Sequence, residues 1–203
     1  PREMTAEEAQ VWPQYLEHVR ATSPRSLTLP AQNIHSLGEW EESDAVMVRW
    51  SNMSLIKALA ENGKVKILAT SDSDRVSWEK QLQANKIDST KYSFYVTPLN
   101  SMWVRDYGPW WIVDGRGEFG IVDNTYNRPR PDDDVFPEFV ASDLQVPIYQ
   151  TQLVHTGGNY YNDGLDNAFS STLVFTENSN LKVANILERM LGFLGIKKYR
   201  SEE

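Results

Sequence analysis

The 203-residue chain contains no cysteine. That excludes disulfides, thiolate metal sites and a cysteine nucleophile drawn from these residues, and it leaves the redox compartment open. Histidine is nearly as scarce. His18, His35 and His155 are the only three, too scattered to spell a metal site, so no metal and no cofactor is expected. No apolar run approaches the roughly 18 residues a membrane helix needs, and no signal-peptide pattern is visible. The chain opens on Pro1 and not on Met. This points to a processed or engineered start, with export before processing left open. Basic residues are outnumbered as well: 20 Lys and Arg against 28 Asp and Glu give a net charge of −8. That argues against nucleic acid and anionic membrane as partners and suits a cationic one.

What is present is ordinary for a globular protein: 40% hydrophobic and 24% charged residues, enough for one domain or at most two small ones. Seven Trp and nine Tyr suggest an aromatic-lined cleft besides a core.

Residues 1–35 read as a peripheral arm. Ala6 to Val19 has helical character, with Thr5 as N-cap and Glu7-Glu8 near the positive end, and Pro13 is expected to break or shorten it. From residue 36 to 203 the chain reads as α/β. Ala45–Trp50 is expected as a buried strand. A helix over Leu55–Glu61 is capped by Ser54 and ends at Asn62-Gly63. Val65–Ala69 is a strand, and Asp72 or Ser73 caps a helix to about Ala84. Tyr92–Val96 is the next strand. Trp110–Val113 and Glu118–Val122 form a hairpin about Asp114-Gly115-Arg116-Gly117. Then come a loop over Asn124–Asp134, a helix over Phe136–Asp143, short strands at Ile148-Tyr149 and Gln152–Val154, and a loop over His155–Asp166. Thr172–Thr176 reads as a strand, Asn178 or Ser179 as the cap of a helix over Leu181–Leu191, and Gly195–Glu203 as a tail. Strand, helix, strand and polar loop recur with a period of roughly 50–60 residues, a weak sign of a repeated module. By that rhythm a further strand and loop should follow the last helix.

Three stretches carry candidate chemistry. Trp103-Val104-Arg105-Asp106-Tyr107-Gly108-Pro109-Trp110-Trp111 sets Arg and Asp among aromatics. A buried charge is costly unless paired. A binding site for a flat cation uses such a set, with a carboxylate taking paired N–H bonds and rings taking the cation face or an alkyl stem. A strand end with a surface salt bridge is the plainer reading. In Arg128-Pro129-Arg130-Pro131 each proline pushes the preceding arginine towards an extended conformation. In a β-like chain the two guanidinium groups then share one side and form a clamp for a carboxylate or phosphate. In a polyproline helix they diverge, and in a solvated loop they pair with Asp132, Asp133 and Asp134. The acidic run itself lacks the spacing of a calcium loop and reads as solvated. His155-Thr156-Gly157-Gly158-Asn159-Tyr160-Tyr161-Asn162-Asp163-Gly164 offers paired glycines for close backbone approach and amide and carboxylate groups for hydrogen bonds. It reads equally as a turn.

Together with Gly38-Glu39-Trp40-Glu41, the stretches Trp103–Pro109, Tyr126–Arg130, and His155–Tyr160 followed by Asp163-Gly164 resemble the bacterial, Porphyromonas-type peptidylarginine deiminases, which are related to agmatine deiminases. The resemblance covers about residues 36–195. It implies a pentein-type α/β propeller of five ββαβ modules, of which about three are present here. It implies hydrolysis of an arginine guanidinium to citrulline and ammonia: a cysteine thiolate attacks the guanidinium carbon, ammonia leaves, and a histidine activates the water that hydrolyses the adduct. By the motif match Asp106 is a catalytic carboxylate that holds the guanidinium, and Trp103 packs on the substrate's alkyl stem. Arg128 and Arg130 bind the free carboxylate of a C-terminal arginine, and Gly158, Asn159 and Asp163 are further substrate-binding positions. Partners implied are arginine-containing peptide or protein C-termini, and either the remainder of the deiminase domain or a second copy. A secreted or periplasmic parent is implied too. Agmatine deiminases carry an acidic residue where Thr156 stands, which favours the peptidylarginine branch. The cysteine, the base histidine and a second guanidinium-binding aspartate belong to later modules, so the chain alone is expected to be inactive. A non-catalytic arginine-peptide binding module and an agmatine deiminase-like enzyme remain the alternatives.

Overall fold

The computed structural model describes residues 4–23, 26–49 and 52–202. In chain order the elements are α1 (Ala6–Thr22), β1 (His35–Ser36), β2 (Val46–Val48), α2 (Met53–Asn62), β3 (Val65–Ala69), α3 (Asp72–Ala84), β4 (Tyr92–Val96), α4 (Val104–Tyr107), β5 (Trp110–Val113), β6 (Phe119–Thr125), α5 (Pro131–Asp134), α6 (Phe136–Leu144), β7 (Ile148–Val154), β8 (Tyr161–Asn162), β9 (Asn167–Ser171), α7 (Leu173–Glu177), α8 (Val183–Leu194) and β10 (Lys198–Glu202). They divide into two compact units, Glu42–Val104 and Pro1–Glu41 with Arg105–Glu203.

The smaller unit is a parallel β2-β3-β4 sheet with α2 and α3 as crossovers, as parallel neighbours require. The central strand β3 is an almost continuous apolar run, and Val65, Ile67, Leu68 and Ala69 are fully buried. Ile56 of α2 and Trp78 and Leu82 of α3 close over it. The strand expected over Ala45–Trp50 is shorter and less buried. Lying at the sheet edge, β2 exposes Val46 and buries only Val48, while Trp50 falls outside the described residues. The caps also shift. Asn52 and not Ser54 accepts the Leu55 N–H at 2.8 Å, and Ser71 and not Asp72 or Ser73 accepts the Asp74 N–H at 3.2 Å. In each case the cap is the last extended residue before the helix, where its side chain can turn back on the first turn.

The larger unit repeats one pattern. β5 and β6 pair antiparallel, and β6 pairs parallel with β7 through α5 and α6. β8 and β9 pair antiparallel, and β9 pairs parallel with β10 through α7 and α8. Both are ββαβ modules, and β1 adds an antiparallel edge to the first. The β5–β6 hairpin turns where expected, with the buried Asp114 carboxylate accepting the N–H groups of Arg116 and Glu118. α8 carries Ile186, Met190, Phe193 and Leu194 on one stripe, packed on Ile112, Val122, Leu153, Ala168 and Val174. Burying such side chains stabilises by about 1.5–3 kcal/mol each.

Several boundaries differ from expectation. α1 runs for 17 residues through Pro13, closed by a capping box between Thr5 and Glu8. The expected loop over Asn124–Asp134 contains the end of β6 and the turn α5, and Asp133 is fully buried, not solvated. The two short strands after Pro147 are one strand, β7, bent at Gln152 (φ 57°) where its register against β6 shifts. The run Thr172–Thr176 is not a strand. The strand is Asn167–Ser171, already hydrogen-bonded on both edges, and the Thr172 N–H ends the ladder on Glu202 O. The next residues wind into α7 and turn Val174 into the core, so packing overrides their β preference. Neither Asn178 nor Ser179 caps α8, which starts at Val183 after Lys182. The expected tail contains β10, the strand that the rhythm demands.

Candidate functional site

The turn α4 presents Asp106. It is held from behind: Thr156 Oγ donates to the Asp106 main-chain oxygen at 3.1 Å. Gly157 and Gly158 follow in a 3-10 turn. A Cβ on Gly157 would sit 2.3 Å from Arg105 O, and one on Gly158 2.2 Å from Asp106 Oδ1. Only glycine allows this approach. Two stretches that the sequence presents separately, 103–111 and 155–164, are thus brought into contact, with the Asp106 side chain lying on the second.

Aromatic rings fix the surroundings. Tyr107 is buried and meets Tyr126 and Phe136 edge-on at 5.8 and 5.7 Å. Trp110 stacks on Tyr160 at 4.2 Å and meets His155 edge-on at 5.0 Å. Tyr107, Tyr126, Trp110, His155 and Asp123 border a small cavity of about 10 Å³ beside Asp106, room for about one water. His155 accepts the Thr156 N–H on Nδ1, and its Nε2 is buried with no partner among the described residues. Burial alone pushes its pKa down to about 3, so the ring is neutral near pH 7 and a poor general base. Asp123, buried among Asp134 and Glu138, has its carboxyl pushed well up by burial first and by those charges second.

The Arg-Pro-Arg segment is not a free pair of forks. Arg130 is buried, and its Nε and Nη2 donate to the two oxygens of Glu8 at 2.7 and 3.3 Å, while Nη1 meets the Tyr126 hydroxyl at 3.3 Å. Arg128 Nη1 donates to Asn127 O at 2.6 Å. Near it Glu177 accepts from Asn127 Nδ2 at 2.7 Å, and burial, partly offset by Asn127 and Arg128, pushes its carboxyl up to about 7. Asp134 takes the Tyr126 N–H and the Tyr15 hydroxyl instead of an arginine.

The remaining positions sort by what they touch. Asn159 Oδ1 accepts the Ser171 N–H at 2.9 Å, and its Nδ2 is buried without a partner among the described residues. Both oxygens of Asp163 are taken up by its own loop, by the N–H groups of Leu165 and Asn167 and the Asn167 amide, which hold its carboxyl below the usual range. The Asp163 main-chain oxygen accepts from Trp40 Nε1 at 3.0 Å. Glu39 pairs with Arg105, so the segment 38–41 braces the Asp106 region. Trp103 belongs to the unit Glu42–Val104, where it is half-buried and its N–H donates to Ser101 Oγ at 3.4 Å. Sequence reasoning missed Glu8 as a partner of Arg130, although Thr5-Ala6-Glu7-Glu8 carries the capping-box signature. It also missed Glu177, for which there is no local signal.

The fold and these motifs have relatives. An Enterococcus faecalis agmatine deiminase structure superposes with a TM-score of 0.69 at 19% identity, covering 87% of this chain and 55% of that one. A C. jejuni agmatine deiminase gives 0.66 at 21%, covering 82% and 54%. A Porphyromonas gingivalis protein assigned as an arginine deiminase gives 0.67 at 16%, covering 84% and 57%. The chain therefore has the pentein fold of these deiminases and spans a little over half their length, which fits an incomplete propeller. A family model for Porphyromonas-type peptidyl-arginine deiminase matches residues 24–200, and the chain belongs to that family.

Proposed function

We propose that this chain is the arginine-binding part of a hydrolase that deiminates the C-terminal arginine of a peptide or protein. Asp106 receives the guanidinium by paired N–H bonds, and Arg128 and Arg130 receive the free carboxylate. The observation that carries the reading is the Arg130 fork, which takes a carboxylate two-pronged, that of Glu8. Bidentate recognition of this kind suits a carboxylate far better than a single charge would. The reaction also needs a thiolate nucleophile and a base. The chain has no cysteine, and His155 is buried and kept neutral. These residues alone therefore bind substrate without turning it over.

Titration with a peptide ending in arginine and with its C-terminal amide tests this. The acid is expected to bind at least about tenfold more tightly, since charged hydrogen bonds contribute about 1.5–3 kcal/mol, and Arg128→Ala should erase the difference. Equal binding of acid and amide would sink the reading. One observation favours a second reading. With Glu8 already in the Arg130 fork, a guanidine lacking a carboxylate, such as agmatine, meets no unfilled anion seat there. Agmatine binding more tightly than the peptide acid would favour it.

A further inference from the structure

We infer that α1 is an autoinhibitory strap whose Glu8 carboxylate sits where the substrate's carboxylate docks. The inference rests on the reading of Arg130 given above and adds what controls access to it. The Glu8 side chain is 20% exposed and that of Arg130 5%, so the helix, not solvent, supplies the anion. Glu8 Oε1 takes Arg130 Nε, and Oε2 takes both Arg130 Nη2 and the Thr5 N–H, the latter at 2.8 Å. The same carboxylate thus closes the helix N-terminus and the arginine fork.

The rest of α1 is attached lightly. It buries no residue. Besides Glu8, hydrogen bonds from its side chains to the body among the described residues run from Tyr15 to Asp134 at 2.8 Å and from Arg20 to Asn180 at 2.7 Å. Behind it lies a cavity of about 300 Å³, bordered by Tyr15, His18 and Thr22 on the helix and by Glu138, Gln150 and Gln152 opposite. The apolar stripe Trp12, Tyr15, Leu16 and Val19 faces the body but is only half-buried, so the helix gains less from packing than one with a fully buried face, and such segments open at low cost. An incoming carboxylate replaces the bonds that Glu8 gives up on Arg130 with bonds of the same kind. Strap and substrate therefore compete, and the closed strap weakens apparent affinity in proportion to its population.

Glu8→Gln in the full chain tests this cleanly, because glutamine still completes the capping box and only the charge is removed. Two measurements are made on wild type and variant: titration with the arginine-ended peptide acid and its amide, and labelling of Arg130 by an arginine-selective dicarbonyl read by mass spectrometry. Glu8→Gln should bind the acid about tenfold more tightly with the amide unchanged, and Arg130 should pass from protected to reactive. In wild type the acid, and not the amide, should speed amide exchange over residues 6–22. If the acid is preferred but Glu8→Gln neither tightens it nor exposes Arg130, the strap is wrong and the carboxylate seat stands. If acid and amide bind alike in both proteins, the carboxylate seat fails and the strap falls with it.

Discussion

Gly158 lies against the Asp106 carboxylate so closely that a methyl group on it would sit 2.2 Å from Oδ1. The glycine is the floor on which the proposed guanidinium anchor rests. Gly158→Ala must displace Asp106, the turn, or both. Overpacking of this kind costs about 1–3 kcal/mol. The unfolding free energy from denaturant titration should fall by that amount, and arginine-peptide affinity should drop at least tenfold. Asp106→Asn should lose the affinity, because the amide no longer carries the charge that pairs with a guanidinium.

Asn178 is a bracket. Its Oδ1 accepts the Val154 N–H, and its Nδ2 donates to Val154 O and Val174 O, all at 2.8–2.9 Å in the buried core. Asn178→Ala leaves three backbone groups unsatisfied and should cost about 2–4 kcal/mol. Urea unfolding at unchanged slope is the check.

Glu177 should make stability fall as pH rises. Its folded pKa, about 7, stands above its ordinary value of 4.5. Between those values the unfolded chain has released the proton and the folded chain has kept it. Stability is therefore fully present below about pH 4.5, is lost up to about pH 7, and changes no further above that. The loss is on the order of 3 kcal/mol. Glu177→Gln keeps an acceptor for Asn127 and should flatten the curve of unfolding free energy against pH over that window.

His155 should act in the opposite direction. Its pKa is lowered from 6.5 to about 3, so below pH 6.5 the unfolded chain binds a proton that the folded chain refuses, and stability falls as pH drops towards 3. Proton NMR of the imidazole should show no titration between pH 5 and 8. A midpoint near 6.5 would mean that the ring reaches solvent.

What the sequence makes legible is local. The Thr5 cap, the apolar run of β3 and the Asp114–Gly117 turn are each written within a few residues, and all three form. What it hides is carried across distance. Arg130 has acidic neighbours at 132–134, yet a carboxylate in its fork comes from Glu8, far away in sequence on the N-terminal helix. Thr172–Thr176 has strand chemistry, but its place beside β10 is taken by the residues before it. Asn178 looks like a cap because Asn usually is one, and burial makes it a core bracket instead. At the site, the motif types point to Asp106 and the paired glycines. Their contact depends on how α4 and the 155–164 loop pack, which no spacing encodes.

The central claim is that Asp106 anchors a guanidinium. The most direct test compares one peptide ending in arginine with the same peptide ending in citrulline, which has the same shape and no charge, by calorimetric titration against wild type and Asp106→Asn. The arginine peptide should bind wild type at least about tenfold more tightly, and Asp106→Asn should bring the two together. Equal binding of both peptides to wild type, or a preference for arginine that survives in Asp106→Asn, would contradict the account.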